Sequence, residues 1–428
     1  MSRSNKAVLT FLIVLLAVSL MVTGCGGSDT GGQADDKVLK VGVNLPLTGP
    51  SARTGEEFQK AVMLAFEEID YKIGDYTVEL VWINDQSDPQ VATSAYEQAV
   101  QKDGIEVSML GWNSSTTVAI MEPVAKYKIP HIFTCGATNL VDEKWNSDDK
   151  YKYYTVKGWA VPESLSAAYL DAINEFIDNG LWEPRNKKIF FISEDTDWGR
   201  TFSTKVGEMF AADGWTIVGD EYVKPGDTDL YPVLTKIKNS DACIFGGTFY
   251  NVPSQSALIK QSRELNINAV TIVDALNSTS DWYELVGDTS NFVLDSAPQY
   301  RDTETAKEFI ANYEEKYGFV PSTTAGGLQY DYSRYFIQIM NECLEANGKL
   351  DSETIFQFVK DNLWTGNIKF TDGVVMESYE YNEESLPDPV VGEGKFVFPI
   401  IQWFDGEMNV IWPSTQKTMD FQVPDYAK

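Results

Sequence analysis

Short runs of apolar residues alternate along the chain with amphipathic stretches of helical period. Residues 38–45 are typical of a buried strand, and in 54–69 apolar residues recur at spacings of three and four, which predicts a helix. Further strands are predicted at 77–83, 107–110 and 129–133, and helices at 90–102 and 116–127. This part of the chain is therefore predicted to be a series of βα units.

The alternation begins again after a polar stretch, with strands predicted at 188–192, 216–222, 242–245 and 270–273. Two such series indicate an α/β fold with two doubly wound parallel sheets. The length agrees, because ~390 residues after the N-terminal segment are too many for one ordinary core. Ligands of such sheets bind at the carboxyl ends of the strands, so the residues after each strand are the candidate site.

Small polar and aromatic residues follow the predicted strands. The turns concerned are 111–116 (GWNSST), 135–138 (CGAT), 194–199 (EDTDWG), 246–250 (GGTFY) and 274–277 (DALN). Hydroxyls and free N–H groups at helix starts suit a carboxylate or another small polar group. Any one of these residues is equally well explained as the cap of its own helix.

The N-terminus has the order of an export signal. Basic residues, Arg3 and Lys6, precede an apolar stretch, and the run VTGC that ends at Cys25 resembles a bacterial lipobox. The resemblance implies that residues 1–24 are removed, that Cys25 receives lipid and that 25–37 form a flexible tether. The expected location is extracytoplasmic, with a lipid anchor in the cell membrane. The alternative, an uncleaved anchor helix, is disfavoured because the apolar stretch is short.

Charge and rare residue types exclude several functions. The chain has 63 Asp and Glu against 34 Lys and Arg, which argues against nucleic acid as a partner and against electrostatic binding to anionic lipid. His131 is the one histidine, and there is no phosphate loop or nucleophile motif, so neither an enzyme, a metal site nor a cofactor is predicted. Cys135, four residues from His131, is too distant along a strand to pair with it. Whether Cys135, Cys243 or Cys343 form a disulfide is open.

Seven stretches of the sequence, taken in order, resemble the type I periplasmic-binding proteins of the branched-chain amino-acid group, related to the leucine/isoleucine/valine-binding protein. They are LPLTGPSARTGEEFQKAVMLAFEEID, NDQSDPQVA, LGWNSSTT, KIPHIFTCGAT, DTDWG, FGGTFYN and FPIIQWFDGEMNVIWP. The resemblance implies two lobes joined by a three-segment hinge. Lobe 1 would comprise 38–157 and about 283–375, lobe 2 would comprise 158–282 and about 376–428, and the last crossing would fall near 369–394.

The same resemblance assigns the polar end of a ligand site. It places the ligand's carboxylate near Ser114 or Ser115, which stand at a predicted helix start. Gly136 and Thr138 would add a backbone contact and a hydroxyl contact. The site would then hold a carboxylate through N–H and O–H groups.

Aromatic and acidic residues are assigned to the rest of the site. Trp198 takes the place of an aromatic residue that packs on the ligand, and Trp112 lies near a predicted pocket turn. A second contact of this kind is assigned to one of Thr248, Phe249 and Tyr250. Asp274 stands where amino-acid binders carry a glutamate that holds the ligand's ammonium group.

The resemblance implies a solute-binding protein, not an enzyme, that delivers its ligand to the membrane subunits of an ABC importer and acts as a monomer. An amino acid is the favoured ligand because Asp274 would lie opposite a carboxylate site. The alternatives are an aromatic or other non-amino carboxylate, an amide, or an anion met by Lys157 or Arg53. A ligand-sensing receptor is the alternative of a different class, disfavoured because no membrane-spanning helix follows Trp412.

Overall fold

The computed structural model describes residues 37–278, 282–392 and 394–427. The predicted export signal and Cys25 lie outside the described residues. In the described part of the chain, no helix is both long and apolar enough to cross a membrane.

The first βα series forms a six-stranded sheet. Its strands are β1 (Lys37–Leu45), β2 (Lys72–Ile73), β3 (Tyr76–Asn84), β4 (Val107–Met109), β5 (His131–Thr134) and β6 (Tyr154–Lys157). They lie in the order β2-β3-β1-β4-β5-β6, and all neighbours are parallel except β2 and β3. The helices between them are α1 (Ala52–Glu67), α2 (Pro89–Gln98), α3 (Ser114–Tyr127) and α4 (Asn139–Ser147).

The second series forms a seven-stranded sheet in the order β13-β12-β11-β10-β9-β7-β8. Its strands are β7 (Lys188–Glu194), β8 (Thr216–Val223), β9 (Ile244–Thr248), β10 (Val270–Asp274), β11 (Leu294–Ser296), β12 (Ile400–Phe404) and β13 (Glu407–Trp412). The short helix α5 (Pro162–Leu165) precedes this sheet, and its own helices are α6 (Ala167–Asp178), α7 (Asp197–Ala212), α8 (Tyr231–Asn239), α9 (Val252–Glu264) and α10 (Trp282–Val286). The strands β12 and β13 are antiparallel to their neighbours, so this sheet is mixed.

Three later helices return to the first sheet. They are α11 (Glu304–Tyr317), α12 (Gln329–Asn347) and α13 (Ser352–Phe358). Their buried side chains share one core with β1 and α1, and the rings of Phe336 and Phe66 lie 6.3 Å apart. We call this sheet with its helices lobe 1, and the other sheet with α6 to α10 lobe 2. The short helix α5 lies at the first crossing, because its Leu165 is buried in the core of lobe 1 whereas Ala168 is buried in a core of lobe 2. The expected boundary between 157 and 158 is therefore wrong by several residues.

The amphipathic pattern of α1 is confirmed. Phe58, Val62 and Phe66, which the spacing places on one face, are fully buried against the sheet. Burial of such side chains contributes about 1.5–3 kcal/mol each. Ile69 lies beyond the end of the helix and is only partly buried.

The crossings between the lobes lie later in the chain than expected. The expected boundary near 283 is wrong because β11 pairs with β10, which keeps the chain in lobe 2 as far as Ser296. The expected boundary near 376, and the crossing near 369–394, are also wrong. Phe370, Tyr379 and Phe398 are buried in the core of lobe 1, so the chain crosses between Phe398 and Ile400.

The histidine and two of the cysteines, Cys243 and Cys343, are buried in the interiors of the lobes. Cys135, Cys243 and Cys343 are free and buried. The imidazole of His131 lies 2.8 Å from the hydroxyl of Ser108 through Nδ1 and stacks on Tyr154. Burial lowers the pKa of His131 to about 3, so the ring is neutral at physiological pH.

Candidate functional site

A cleft between the lobes is lined by the turns that follow the strands of both sheets. It contains about 680 Å³ of empty space, its open mouth included. Its lining residues are Trp112, Asn113, Ser114, Cys135, Ala137, Trp159, Leu165, Ser166, Trp198, Tyr250, Asp274, Ala275, Asn277, Ser296, Thr324 and Phe398. This is the position at which doubly wound sheets bind ligands.

Aromatic rings form much of the cleft wall. The indoles of Trp112 and Trp159 meet edge to face with 6.2 Å between ring centroids, and Phe398 lies 4.8 Å from Trp159. Trp198 and Tyr250 line the cleft from lobe 2. Such a wall favours a ligand with an apolar or aromatic body.

Asp274, at the end of β10, is the one charged side chain among the described residues that line the cleft. The hydroxyl of Tyr169 donates to its Oδ1 atom over 2.9 Å. Burial raises the pKa of Asp274 to about 6, although hydrogen bonds from Tyr169 and Thr248 oppose the shift. Near neutral pH the cleft therefore holds a buried carboxylate without a basic side chain among its described lining residues, which favours a cationic group on the ligand.

Lobe 1 supplies a part of the cleft that suits a negatively charged group, at the start of α3, where Ser114 is the first helical residue. The N-cap residue, Asn113, makes no side-chain capping hydrogen bond, and both residues line the cleft. The first N–H groups of a helix have no intrahelical acceptor, and the helix dipole places partial positive charge there. This helix start is therefore suited to a carboxylate.

Half of the residues expected at the site line the cleft. These are Trp112, Ser114, Trp198, Tyr250 and Asp274. The other five lie next to the cleft or away from it: two join the lobes, two support neighbouring residues and one is buried in a core.

Ser115 and Thr138 join the two lobes. The Oγ atom of Ser115 accepts a hydrogen bond from the backbone N–H of Asp197 over 3.3 Å. The hydroxyls of Thr138 and Thr201 lie 3.0 Å apart. Both contacts hold lobe 1 against α7 of lobe 2 beside the cleft.

Gly136 and Thr248 support their neighbours. Gly136 lies between two lining residues at φ 33°, and a Cβ there would lie 2.7 Å from Cγ2 of Thr117, so a side chain would be crowded. Thr248 accepts a hydrogen bond from Nε1 of Trp198 over 2.7 Å, which orients the indole.

Phe249 is fully buried in a lobe 2 core, not at the cleft. Of the three residues offered for this aromatic contact, only Tyr250 reaches the cleft lining.

Several lining residues were not predicted, because most of them belong to the crossings between the lobes or to a helical turn and not to a loop after a predicted strand. Each crossing between the lobes supplies one: Ser166, Ser296 and Phe398. Thr324 comes from a π-helical turn, Thr323–Leu328, that leads into α12. Asn277 belongs to a turn that the sequence did indicate, but nothing distinguished it from a helix cap.

Lys157 does not meet the cleft. Its ammonium group is fully buried, 2.6 Å from Asp142 and 2.5 Å from Asp388. Arg53 is not among the lining residues either. Within the described ranges, no group of three or more His, Cys, Asp or Glu residues is placed to hold a metal ion.

Comparison with known proteins identifies the family of this chain. The family described as periplasmic binding protein matches residues 38–365. The Leu/Ile/Val-binding protein homolog 1 of Brucella abortus (strain 2308) is 24% identical over 389 residues, which cover 89% of this chain and 95% of the relative.

Two solved structures share the fold. The leucine binding protein LivK from Thermotoga maritima has a TM-score of 0.70 at 19% identity, covering 87% of this chain and 97% of its own. A solute binding protein of an ABC transporter from Rhodopseudomonas palustris BisB5, in complex with 3,4-dihydroxybenzoic acid, has a TM-score of 0.69 at 18% identity, covering 87% and 95%. The chain belongs to the periplasmic binding protein family and, with that family, is a binding protein and not an enzyme.

Proposed function

We propose that this protein captures an α-amino acid with an apolar or aromatic side chain between its lobes and delivers it to an ABC importer. The observation that carries the proposal is Asp274, a buried carboxylate with no basic side chain beside it among the described lining residues. An ammonium group would supply the missing charge. The start of α3 would hold the ligand's carboxylate, and the aromatic walls would enclose its side chain.

An aromatic carboxylate without an amino group fits less well. The Rhodopseudomonas relative binds such an acid, and the rings of Trp112 and Trp159 could accept one here. Its carboxylate would add a second negative charge to a cleft that already holds Asp274. Like charges in a site of low dielectric repel, so this ligand class is disfavoured.

Thermal unfolding with candidate ligands tests the proposal. The panel contains the standard L-amino acids, benzoate, 4-hydroxybenzoate, benzamide and succinate. An apolar or aromatic amino acid at a hundredfold excess over its Kd should stabilise the protein by about 2.7 kcal/mol. Stabilisation by a benzoate or by benzamide alone would overturn the amino-acid assignment while leaving a binding function in place.

We also propose that lipid on Cys25 anchors the protein on the outer face of the cell membrane, where it acts as a monomer. The support is the VTGC run after an apolar stretch. Cys25→Ser should move the protein from the membrane fraction to the soluble fraction and abolish labelling by a fatty acid. A variant that still labels and still sediments with membranes would exclude this anchor. Cys243→Ser, at a buried free thiol, is the control that should keep both properties.

A further inference from the structure

The turn after β10 presents a buried acceptor that no described residue satisfies. Asn277 is 4% exposed and lines the cleft. Its Nδ2 atom donates to Oδ2 of Asp295 over 2.9 Å and to the carbonyl oxygen of Ser296 over 3.3 Å. Its Oδ1 atom has no hydrogen-bond partner among the described residues.

The orientation of this amide is fixed by its partners. A backbone carbonyl only accepts, so the side of Asn277 that faces Ser296 must be the NH₂ group. Asp295 also accepts from the backbone N–H groups of Ala275, Asn277 and Ser296, over 2.8–3.0 Å. If the Asn277 amide were flipped, its oxygen would face the carboxylate of Asp295 and the carbonyl oxygen of Ser296, which are both acceptors.

The turn itself is held from two sides. Ala275 has φ 68°, a left-handed conformation that an L residue adopts at a cost, and its N–H is bonded to Asp295. From lobe 1, the hydroxyl of Thr324 donates to the carbonyl oxygen of Asn277 over 3.1 Å. The Oδ1 atom is therefore a preorganised acceptor, and a buried acceptor left unpaired costs free energy.

We propose that Oδ1 of Asn277 accepts an N–H from the ligand beside Asp274, so that the cleft selects solutes with a primary ammonium group over their N-alkylated forms. The inference rests on the proposed amino-acid ligand. One N–H bonds the carboxylate and a second bonds the amide, which a tertiary ammonium, with a single N–H, cannot do. The aromatic walls alone would not make this choice, because rings attract alkylated ammonium groups by cation–π interaction.

Calorimetric titration with two ligand pairs tests the proposal. The pairs are L-leucine with N,N-dimethyl-L-leucine and L-phenylalanine with N,N-dimethyl-L-phenylalanine. The wild-type protein should bind the primary amine at least ~10-fold more tightly than its dimethyl form, as expected for one lost hydrogen bond to a charged group. In Asn277→Ala this ratio should fall severalfold. A wild-type ratio near one would overturn the proposal without reference to any variant.

A buried amide elsewhere in lobe 2 supplies the matched control. Gln402 donates from Nε2 to the carbonyl oxygens of Phe292 and Gln422 over 3.2 and 2.9 Å, and it does not line the cleft. Gln402→Ala should lower the melting temperature yet keep the wild-type ratio. An unchanged ratio in Asn277→Ala would contradict this inference and leave the proposed function in place. Failure of both amino acids to bind the wild-type protein would instead overturn the proposed function, and this inference with it.

Discussion

At the scale of single residues, the chemistry of the cleft centres on one carboxylate. Asp274→Asn should keep the hydrogen bond from Tyr169, because an amide oxygen also accepts, while removing the charge. Affinity for an amino acid should fall by about 2–5 kcal/mol, the usual loss when one partner of a buried charged pair is removed. Stability without ligand should not fall, since a buried unpaired charge is removed.

Titration calorimetry and thermal unfolding of the same variant measure both effects. Asp302→Asn is the control, because Asp302 is exposed and paired with Lys307 on the surface, and its Kd should equal that of the wild type. An unchanged Kd in Asp274→Asn would show that the ammonium group is held elsewhere.

The raised pKa of Asp274 also predicts a pH dependence of binding. Burial raises that pKa to about 6, and Asp295 nearby is raised to about 7 by burial and by the charge of Asp274. Protonation removes the charge that an ammonium group needs, so Kd should rise as the pH falls below about 7 and rise further below 6. Titrations from pH 8 to pH 5 measure this, and Asp274→Asn should show a weaker dependence. An affinity that improves toward pH 5 would contradict it.

At the scale of elements, the start of α3 supplies the positive end of the site. Ser114→Ala should weaken an amino acid by about 1–3 kcal/mol if its hydroxyl bonds the ligand's carboxylate. The corresponding amino alcohol, L-leucinol, lacks that carboxylate and should bind both proteins equally. Ser94→Ala on α2 is the control, since that hydroxyl bonds only the carbonyl oxygen of Gln90 in its own helix. Equal losses for L-leucine and L-leucinol would assign Ser114 to another part of the ligand.

The elements that the sequence predicted are those with a strong local pattern. β1, α1 and the strands that begin the second series have long apolar runs or a clear helical period, and the structure confirms them. β6 (YTVK) and β11 (LDS) were not predicted, because polar residues interrupt these short segments, whereas the equally short β4 and β5 lie within apolar runs. β12 and β13 lie in the run FPIIQWFDGEMNVIWP and follow one another as an antiparallel pair without a helix between them, so they do not fit the βα pattern from which the other strands were predicted.

At the scale of the whole molecule, buried carboxyl groups set the response of stability to pH. Burial raises the pKa of Asp85 to about 6 and those of Glu194, Asp295 and Asp331 to about 7. Between about pH 4 and 7 the folded state thus binds more protons than the unfolded state, so stability falls as the pH rises through this window. His131 has the opposite effect, because its lowered pKa costs stability as the pH falls below about 6.5.

Because several carboxyl groups oppose one histidine, the ligand-free protein should be more stable at pH 5.5 than at pH 7.5. Melting temperatures across that range in one ionic strength measure the effect. The lower net negative charge at pH 5.5 acts in the same direction, so the comparison should be repeated at high salt, where charge repulsion is screened. A melting temperature that rises steadily toward pH 7.5 would show that these carboxyl groups are solvated.

The sequence by itself determined the α/β class, the two series of βα units and the turns that meet at the cleft, because these follow from local periodicity and from the chemistry of strand ends. Tertiary structure decided which residues of each turn line the cleft. Trp198 and Tyr250 line the cleft whereas Phe249 enters the core, and Ser115 bonds the other lobe. Those outcomes depend on how two lobes pack, and no local pattern contains that information. The crossings likewise fall where β11 finds its partner and where Phe398 is buried, which are contacts between residues far apart in the chain.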